Sequence, residues 1–375
     1  MSRTSPLTPL SFGLSGLSSP SLRRLPAVLR RQALRLAALT LLLPALGPSH
    51  AMADVQGVGA SFPSVVYQAW TQQYARAHGR KVSYKPTGSG DGQKQIQARA
   101  VDFAGSDVPF SEADLVSKQL VQLPMLVGGI VPAVHLKGVS QLRLDGATLA
   151  DIFRGEIRQW NHARIAALNP GVTLPALPIT RVVRKDKSGS TDAFSRYLSL
   201  VSPAFREQIG PGMLPKWPEG AVAAEGNDGI AQALKTTPGA ISYVSFDRLH
   251  KAQLSGVQLR NADDTDFVAA GEAGFREAVR NSSMGRTGDE SASLLQRPGK
   301  GTWPITVTSY ILVDARPKSA AAASEALHFI NWTLQSGDRL LADTGFAPLP
   351  VAVQARMAAR IANVKAQDGG VINYY

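Results

Sequence analysis

The sequence contains no cysteine. Disulfides, thiol catalysis and a lipid-anchored N-terminal cysteine are therefore excluded. Histidine is sparse. Beyond residue 53 it occurs at His78, His135, His162, His250 and His328, with no close pair and no H-E-x-x-H pattern. A metal site has little support on that basis, and no cofactor is expected. The G-x-S-x-G nucleophile elbow is missing as well. After residue 53 no run of five or more Lys and Arg occurs, which argues against nucleic-acid binding. No later stretch is apolar enough for a transmembrane helix. Acids, finally, are absent from residues 1–53, and that local absence is the first positive signal.

Those residues carry Arg3, Arg23, Arg24, Arg30, Arg31 and Arg35. An apolar run from Leu36 to Leu46 follows, then small residues ending in Ala51-Met52-Ala53. Basic region, short apolar core and A-x-A boundary read as a cleavable secretory signal peptide over 1–53. The run is about eleven residues, too short to span a bilayer. Cleavage is expected after Ala53, with Ala51 the alternative, giving a periplasmic or secreted product. Arg30-Arg31 is only a weak match to a twin-arginine signal and reads as an ordinary basic region. Loss of the leader takes six of the 40 Lys and Arg, leaving 34 against 28 Asp and Glu, or +6 in place of +12. That balance is compatible with anionic ligands or surfaces. The remaining chain, about 320 residues, exceeds one comfortable core, so two domains are expected.

Hydrophobic periodicity supplies the elements. Val65, Val66, Trp70 and Tyr74 predict a helix over 64–78. Strands are expected at 81–86, 101–107, 125–136, 179–185, 240–246 and 303–313, and helices at 93–100, 147–153, 191–201, 229–237 and 320–337. Alternation of strand and helix implies an α/β protein with largely parallel sheets. Trp70, Trp160, Trp217, Trp303 and Trp332 read as core or hinge packing. The polar, glycine-spotted stretch 280–301 reads as a surface excursion, and Asn227-Asp228-Gly229 as a helix-initiating turn near a cleft between the two expected domains.

Three turns share one pattern of strand, small polar residues and helix: "GASFPS" (59–64), "TGSGDGQ" (87–93) and "DKSGST" (186–191). Each sets hydroxyls and unpaired N–H groups at a helix N-terminus, where the dipole is positive. Such a place binds phosphate or sulfate. Taken singly, each turn is an ordinary helix cap. "GSGDGQK" is no P-loop, because Lys94 does not directly follow the last glycine and no Ser or Thr follows it.

Eight stretches occur together and in one order: "GVGASFPSVVYQAW", "TGSGDGQKQI", "VDFAGSDVPFSEADL", "QLPMLVGGIVPAV", "LDGATLADIFRGEIRQWN", "RKDKSGSTDAFSRYL", "EGNDGIAQALKTTPGAISYV" and "WPITVTSYILV". With them the chain resembles the periplasmic phosphate-binding protein of the phosphate-specific ABC transporter, over nearly all of its length past the leader. The resemblance implies a two-lobed type II periplasmic binding protein with its ligand in the interdomain cleft. Lobe I would be 54–128 plus 306–375, and lobe II 129–305. The implied phosphate-binding residues are Ser61, Phe62 through its backbone N–H, Ser89, Asp107, Arg184, Ser188, Gly189 and Ser190, with Asp186 supporting Arg184. The implied partners are inorganic phosphate and a membrane ABC permease, with no nucleic acid, and the chain is expected to be a monomer. No catalysis is expected.

The chemistry of those residues is coherent. Phosphate near neutral pH keeps one or two protons, so it needs many donors and at least one acceptor. Hydroxyls and N–H groups donate, and Arg184 can grip two oxygens through its planar fork. Ionised Asp107 only accepts. It can take the phosphate proton, whereas sulfate would oppose it with bare oxygen. Ser61 and Ser190 stand where the resembled family usually has threonine. Asp91 stands where it often has glycine. Its expected role is to N-cap a helix starting near Gly92; the alternative is to accept a second phosphate proton. Rival readings are a related oxyanion such as phosphonate, a secreted adhesion protein on the same fold, and a phosphatase-like enzyme, which lacks a nucleophile or metal.

Overall fold

The computed structural model describes residues 54–375. The expected leader, 1–53, and its expected cleavage site lie outside them. Eleven strands run β1 (Val55–Gly59), β2 (Val82–Pro86), β3 (Phe103–Ser106), β4 (Leu120–Val134), β5 (Leu142–Leu144), β6 (Thr180–Arg184), β7 (Val222–Ala224), β8 (Ala240–Ser245), β9 (Ser255–Arg260), β10 (Phe267–Val268) and β11 (Thr306–Asp314). The helices are α1 (Ser64–His78), α2 (Ser89–Gln97), α3 (Glu112–Lys118), α4 (Gly146–Arg154), α5 (Ala163–Leu168), α6 (Gly189–Val201), α7 (Pro203–Gln208), α8 (Gly226–Thr236), α9 (Phe246–Lys251), α10 (Glu272–Arg280), α11 (Ser283–Thr287), α12 (Ala320–Ser336) and α13 (Val351–Ala362). Among the described residues no helix is long and apolar enough to cross a membrane.

α1 forms because Val66, Tyr67, Trp70 and Tyr74 make one apolar stripe, all buried. It stops at Gly79, whose φ of 65° is the left-handed cap conformation. The main strand path is β2-β1-β3-β11-β4-β8-β6-β7. β1 lies parallel to β2 and β3, and β6 parallel to β7 and β8. β11 is antiparallel to β3 and β4, and β4 antiparallel to β8. The sheet is therefore mixed, not largely parallel. An apolar run reports burial on both faces but not strand direction.

β4 joins the two halves of the sheet. From Leu120 to Gly129 it pairs with β11, and from Ile130 to Val134 with β8. It begins five residues before the expected Met125, because Leu120–Pro124 also pair with β11. The register shifts between Ser309 and Tyr310, opposite Leu126 and Pro124. Pro124 has no N–H to give, and such residues collect at bulges.

Trp70, Trp160 and Trp303 are fully buried, while Trp217 and Trp332 pack against the core. The 280–301 stretch is more than a surface excursion. Met284, Leu294 and Leu295 are buried, and Glu290 is held between Arg356 and Arg360 on α13.

Candidate functional site

Each of the three turns runs from a strand end into a helix: β1 into α1, β2 into α2 and β6 into α6. The backbone draws them together. Gly88 N–H donates to Gly59 O at 2.7 Å, and Gly90 N–H donates to Lys187 O at 2.9 Å. Gly88 has φ of 101°, and a Cβ there would lie 2.7 Å from Asp186 Oδ2. Only glycine suits that conformation and that contact.

The start of α1 has no side-chain cap, nor has that of α2. Val66 and Tyr67 donate to Pro63 O, Gly90 to Lys187 O and Gly92 to Gly88 O, but none of the first N–H groups is met by a capping side chain. α6 differs. Ser188 Oγ accepts from Thr191 N–H at 3.2 Å, as an N-cap does. Its own proton stays available for donation.

Around these termini the site residues are enclosed. Ser61, Phe62, Ser89, Asp107, Arg184, Ser188, Gly189 and Ser190 are all buried. Gly189 approaches Asp107 and Ser89 so closely that a Cβ on it would lie 2.6 Å from Asp107 Cβ, 2.8 Å from Oδ2 and 2.5 Å from Ser89 Oγ. Phe62 packs edge-on against Phe346, ring centroids 5.0 Å apart, which fixes the first turn. Arg184 Nε donates to Asp186 Oδ1 at 2.7 Å, and Nη2 donates to Oδ2. Asp186 also accepts from Gly226 N–H at 3.1 Å. The guanidinium is thus held on one side. Among the described residues its Nη1 has no hydrogen-bond partner, and neither has Ser190 Oγ. Both are buried donors, and buried donors without partners are costly unless a ligand meets them.

Burial pushes the Asp107 carboxyl up to about 7, against the pull of Ser309, Arg184 and Ser89. It is therefore an acceptor on the verge of protonation near neutral pH. Burial also pushes Asp186 up, but the Arg184 hydrogen bond and charge outweigh it, and the net direction is down. Asp186 remains an anion that neutralises Arg184.

Two further polar residues reach the site that were not among the expected binding residues. Asn227 Nδ2 donates to Ser61 Oγ at 3.0 Å, and its Oδ1 accepts from Ser245 N–H at 3.0 Å. Ser309 Oγ donates to Asp107 Oδ1 at 2.8 Å. The helix-starting turn at 227–229 was legible, with its place near the cleft; its partner 166 residues away was not. Beside the site, Arg248 Nη2 donates to Ser64 Oγ at 3.2 Å while Nε pairs with Asp228 at 2.5 Å.

Asp91 is not an N-cap. α2 starts at Ser89, two residues before it, because the Gly88 conformation already turns the chain. Asp91 sits in the first turn and accepts from Gln95 Nε2 at 2.6 Å. It lines an outer depression with Lys94 and Lys187. Histidines that are far apart in sequence do meet: the rings of His78 and His328 lie 5.2 Å apart beside Tyr74. Among the described residues, no group of three or more His, Asp or Glu could hold a metal ion.

The mixed sheet shared through β4 and the three converging helix N-termini define a solute-binding protein of the two-lobed α/β type. The chain matches the PBP superfamily domain over residues 46–336. It is 37% identical over 298 residues to the phosphate-binding protein PstS of Xylella fastidiosa (strain Temecula1), covering 79% of this chain and 81% of that one. It is 35% identical to PstS of Pasteurella multocida, covering 84% and 92%. The chain belongs to the PBP superfamily and, within it, to the family of these PstS proteins. Two solved structures share the fold. One is the high-affinity periplasmic phosphate-binding protein PfluDING with phosphate bound, at TM-score 0.66 and 21% identity, covering 82% of this chain and 93% of that one. The other is the phosphate-binding protein of Stenotrophomonas maltophilia, at TM-score 0.65 and 20% identity, covering 86% and 97%.

Proposed function

We propose that this protein captures inorganic phosphate between its two lobes and delivers it to a membrane ABC importer, without altering it. The observation that carries the reading is Asp107, an enclosed acceptor beside buried donors that lack partners. Such an arrangement fits an anion that still carries a proton and opposes one that does not. The names of the relatives point the same way. Ser61, Ser89, Ser188, Ser190 and the N–H groups of Phe62 and Gly189 would donate, Arg184 would bind through Nη1, and Asp107 would accept the phosphate proton. The lobes would be 54–128 with 306–375, and 129–305. That division agrees with the change of β4's partner between Gly129 and Ile130. Closure of the lobes would shift the population toward a form the importer recognises. The protein would act as a monomer in the periplasm, after removal of the leader.

Calorimetric titration of ligand-stripped protein with phosphate, repeated in excess sulfate, tests this. Tight binding that sulfate leaves untouched is expected. No heat of binding with phosphate, or equal competition by sulfate, would reject it.

A further inference from the structure

Asp107 has two carboxylate oxygens with different neighbours. Oδ2 faces the converging turns: it is 3.5 Å from Ser89 Oγ, and a Cβ on Gly189 would lie 2.8 Å from it. Oδ1 is turned the other way, toward Ser309 Oγ at 2.8 Å. Ser309 is fully buried on β11, at the place where the β4–β11 register shifts. Bulges of this kind occur beside functional sites and re-aim single side chains. In the Proposed function reading, Ser309 itself has no part in gripping the ligand.

We propose that Ser309 is a positioning residue for anion selection, donating to Asp107 Oδ1 and thereby presenting Oδ2 as an ionised acceptor to the protonated oxygen of phosphate. This rests on the phosphate reading of the site. The physical argument is short. A hydroxyl that donates to a carboxylate favours its charged form. Burial opposes that form here, and Ser309, Arg184 and Ser89 act against burial. The other groups facing Asp107 are the hydroxyls of Tyr67 on α1, Tyr84 on β2 and Tyr310 on β11. All three are held above their ordinary value by burial and stay neutral. Arg184 on β6 supplies the opposite charge. Without Ser309, Asp107 would keep its proton to higher pH. A protonated Asp107 is a weaker acceptor for the phosphate proton, and it gains an O–H that can donate to sulfate.

The test is calorimetric titration of phosphate and of sulfate, from about pH 6 to about pH 9, on the unsubstituted protein, Ser309→Ala and Ser309→Thr. Ser309→Ala should displace the pH profile of phosphate binding upward by about one unit and reduce the phosphate-over-sulfate preference about tenfold. Ser309→Thr, which keeps the hydroxyl, should restore both. An unchanged profile and preference in Ser309→Ala would overturn the proposal. So would an equal loss for both anions with no displacement, which marks a merely structural role. If Ser309→Ala does not fold, Ser309→Cys, a weaker donor, should give a smaller displacement in the same direction, and none would overturn the proposal. Absence of phosphate binding by the unsubstituted protein would reject the phosphate reading and this inference together.

Discussion

Asp107 and Arg184 are two buried groups of opposite charge in different halves of the sheet, and each is committed on one side only. Arg184 is tied to Asp186 through Nε and Nη2, so replacing it strands a half-buried carboxylate as well as removing a fork of donors. Arg184→Ala is expected to weaken phosphate binding by at least about 100-fold, as for other desolvated charge partners. Calorimetry checks this, and unchanged affinity would remove Arg184 from the site. Asp107 gives a pH prediction of definite sign. Its carboxyl is raised from 3.8 to about 7 in the folded protein. The folded state therefore holds a proton that the unfolded state has lost between those values. The ligand-free protein loses stability as pH rises through that window, and the loss is complete above the folded value. Asp107→Asn should raise the ligand-free melting temperature at pH 8 and change it little at pH 4, while weakening rejection of sulfate. A gain that is the same at both pH values would contradict the assignment. The sequence exposed these residues because they sit inside compact turn motifs. It did not single out Ser309 and Asn227, although both lie in stretches that carry the resemblance, because their partners lie 202 and 166 residues away.

At the scale of elements, the three strand-to-helix turns look alike in sequence and differ in use. Ser188 caps α6, whereas the hydroxyls of Ser61 and Ser89 cap nothing. Ser188→Ala is expected to cost about 1 kcal/mol of stability together with affinity. Ser190→Ala, which removes a hydroxyl that has no partner among the described residues, should lose affinity with little change in melting temperature. Thermal melts and calorimetry on the pair separate the two roles, and equal melting losses would show that Ser190 is structural. Gly189 is different again, because it matters for the room it leaves. Gly189→Ala places a methyl against Ser89 and Asp107. Affinity should fall about tenfold or more from the misfit. Small-angle scattering should show a more open particle with phosphate present, and an equally compact one would refute this. Helices α1, α2, α4, α6, α8 and α12 and strands β2, β3, β4, β6, β8 and β11 were legible from period and turn residues, whereas the remaining helices and strands, most of them short, were not. The direction of β4 and its early start were not, because pairing with β11 is decided by a strand some 180 residues later, a separation of the kind that makes contacts non-local.

At the scale of the whole molecule, neither half of the sheet is an independent piece of chain. β4 belongs to both, and β11 stands between β3 and β4. There is accordingly no flexible linker to cut, and motion between the halves must be taken up by twist in two paired strands. A chain ending at residue 305 lacks β11 altogether, so β3 and β4 lose their common neighbour. It is expected to be digested by protease at a concentration that leaves the full chain intact. Survival of a compact fragment would show the first half to be autonomous.

The insertion of β11 also bears on time. A chain made from its N-terminus presents β1, β2, β3 and β4 early, but the strand that unites them arrives only after Thr306 has been added. Until then the first half can collapse but cannot close its sheet. That half is expected to become protease-resistant only late in synthesis, which leaves an interval in which it remains threadable.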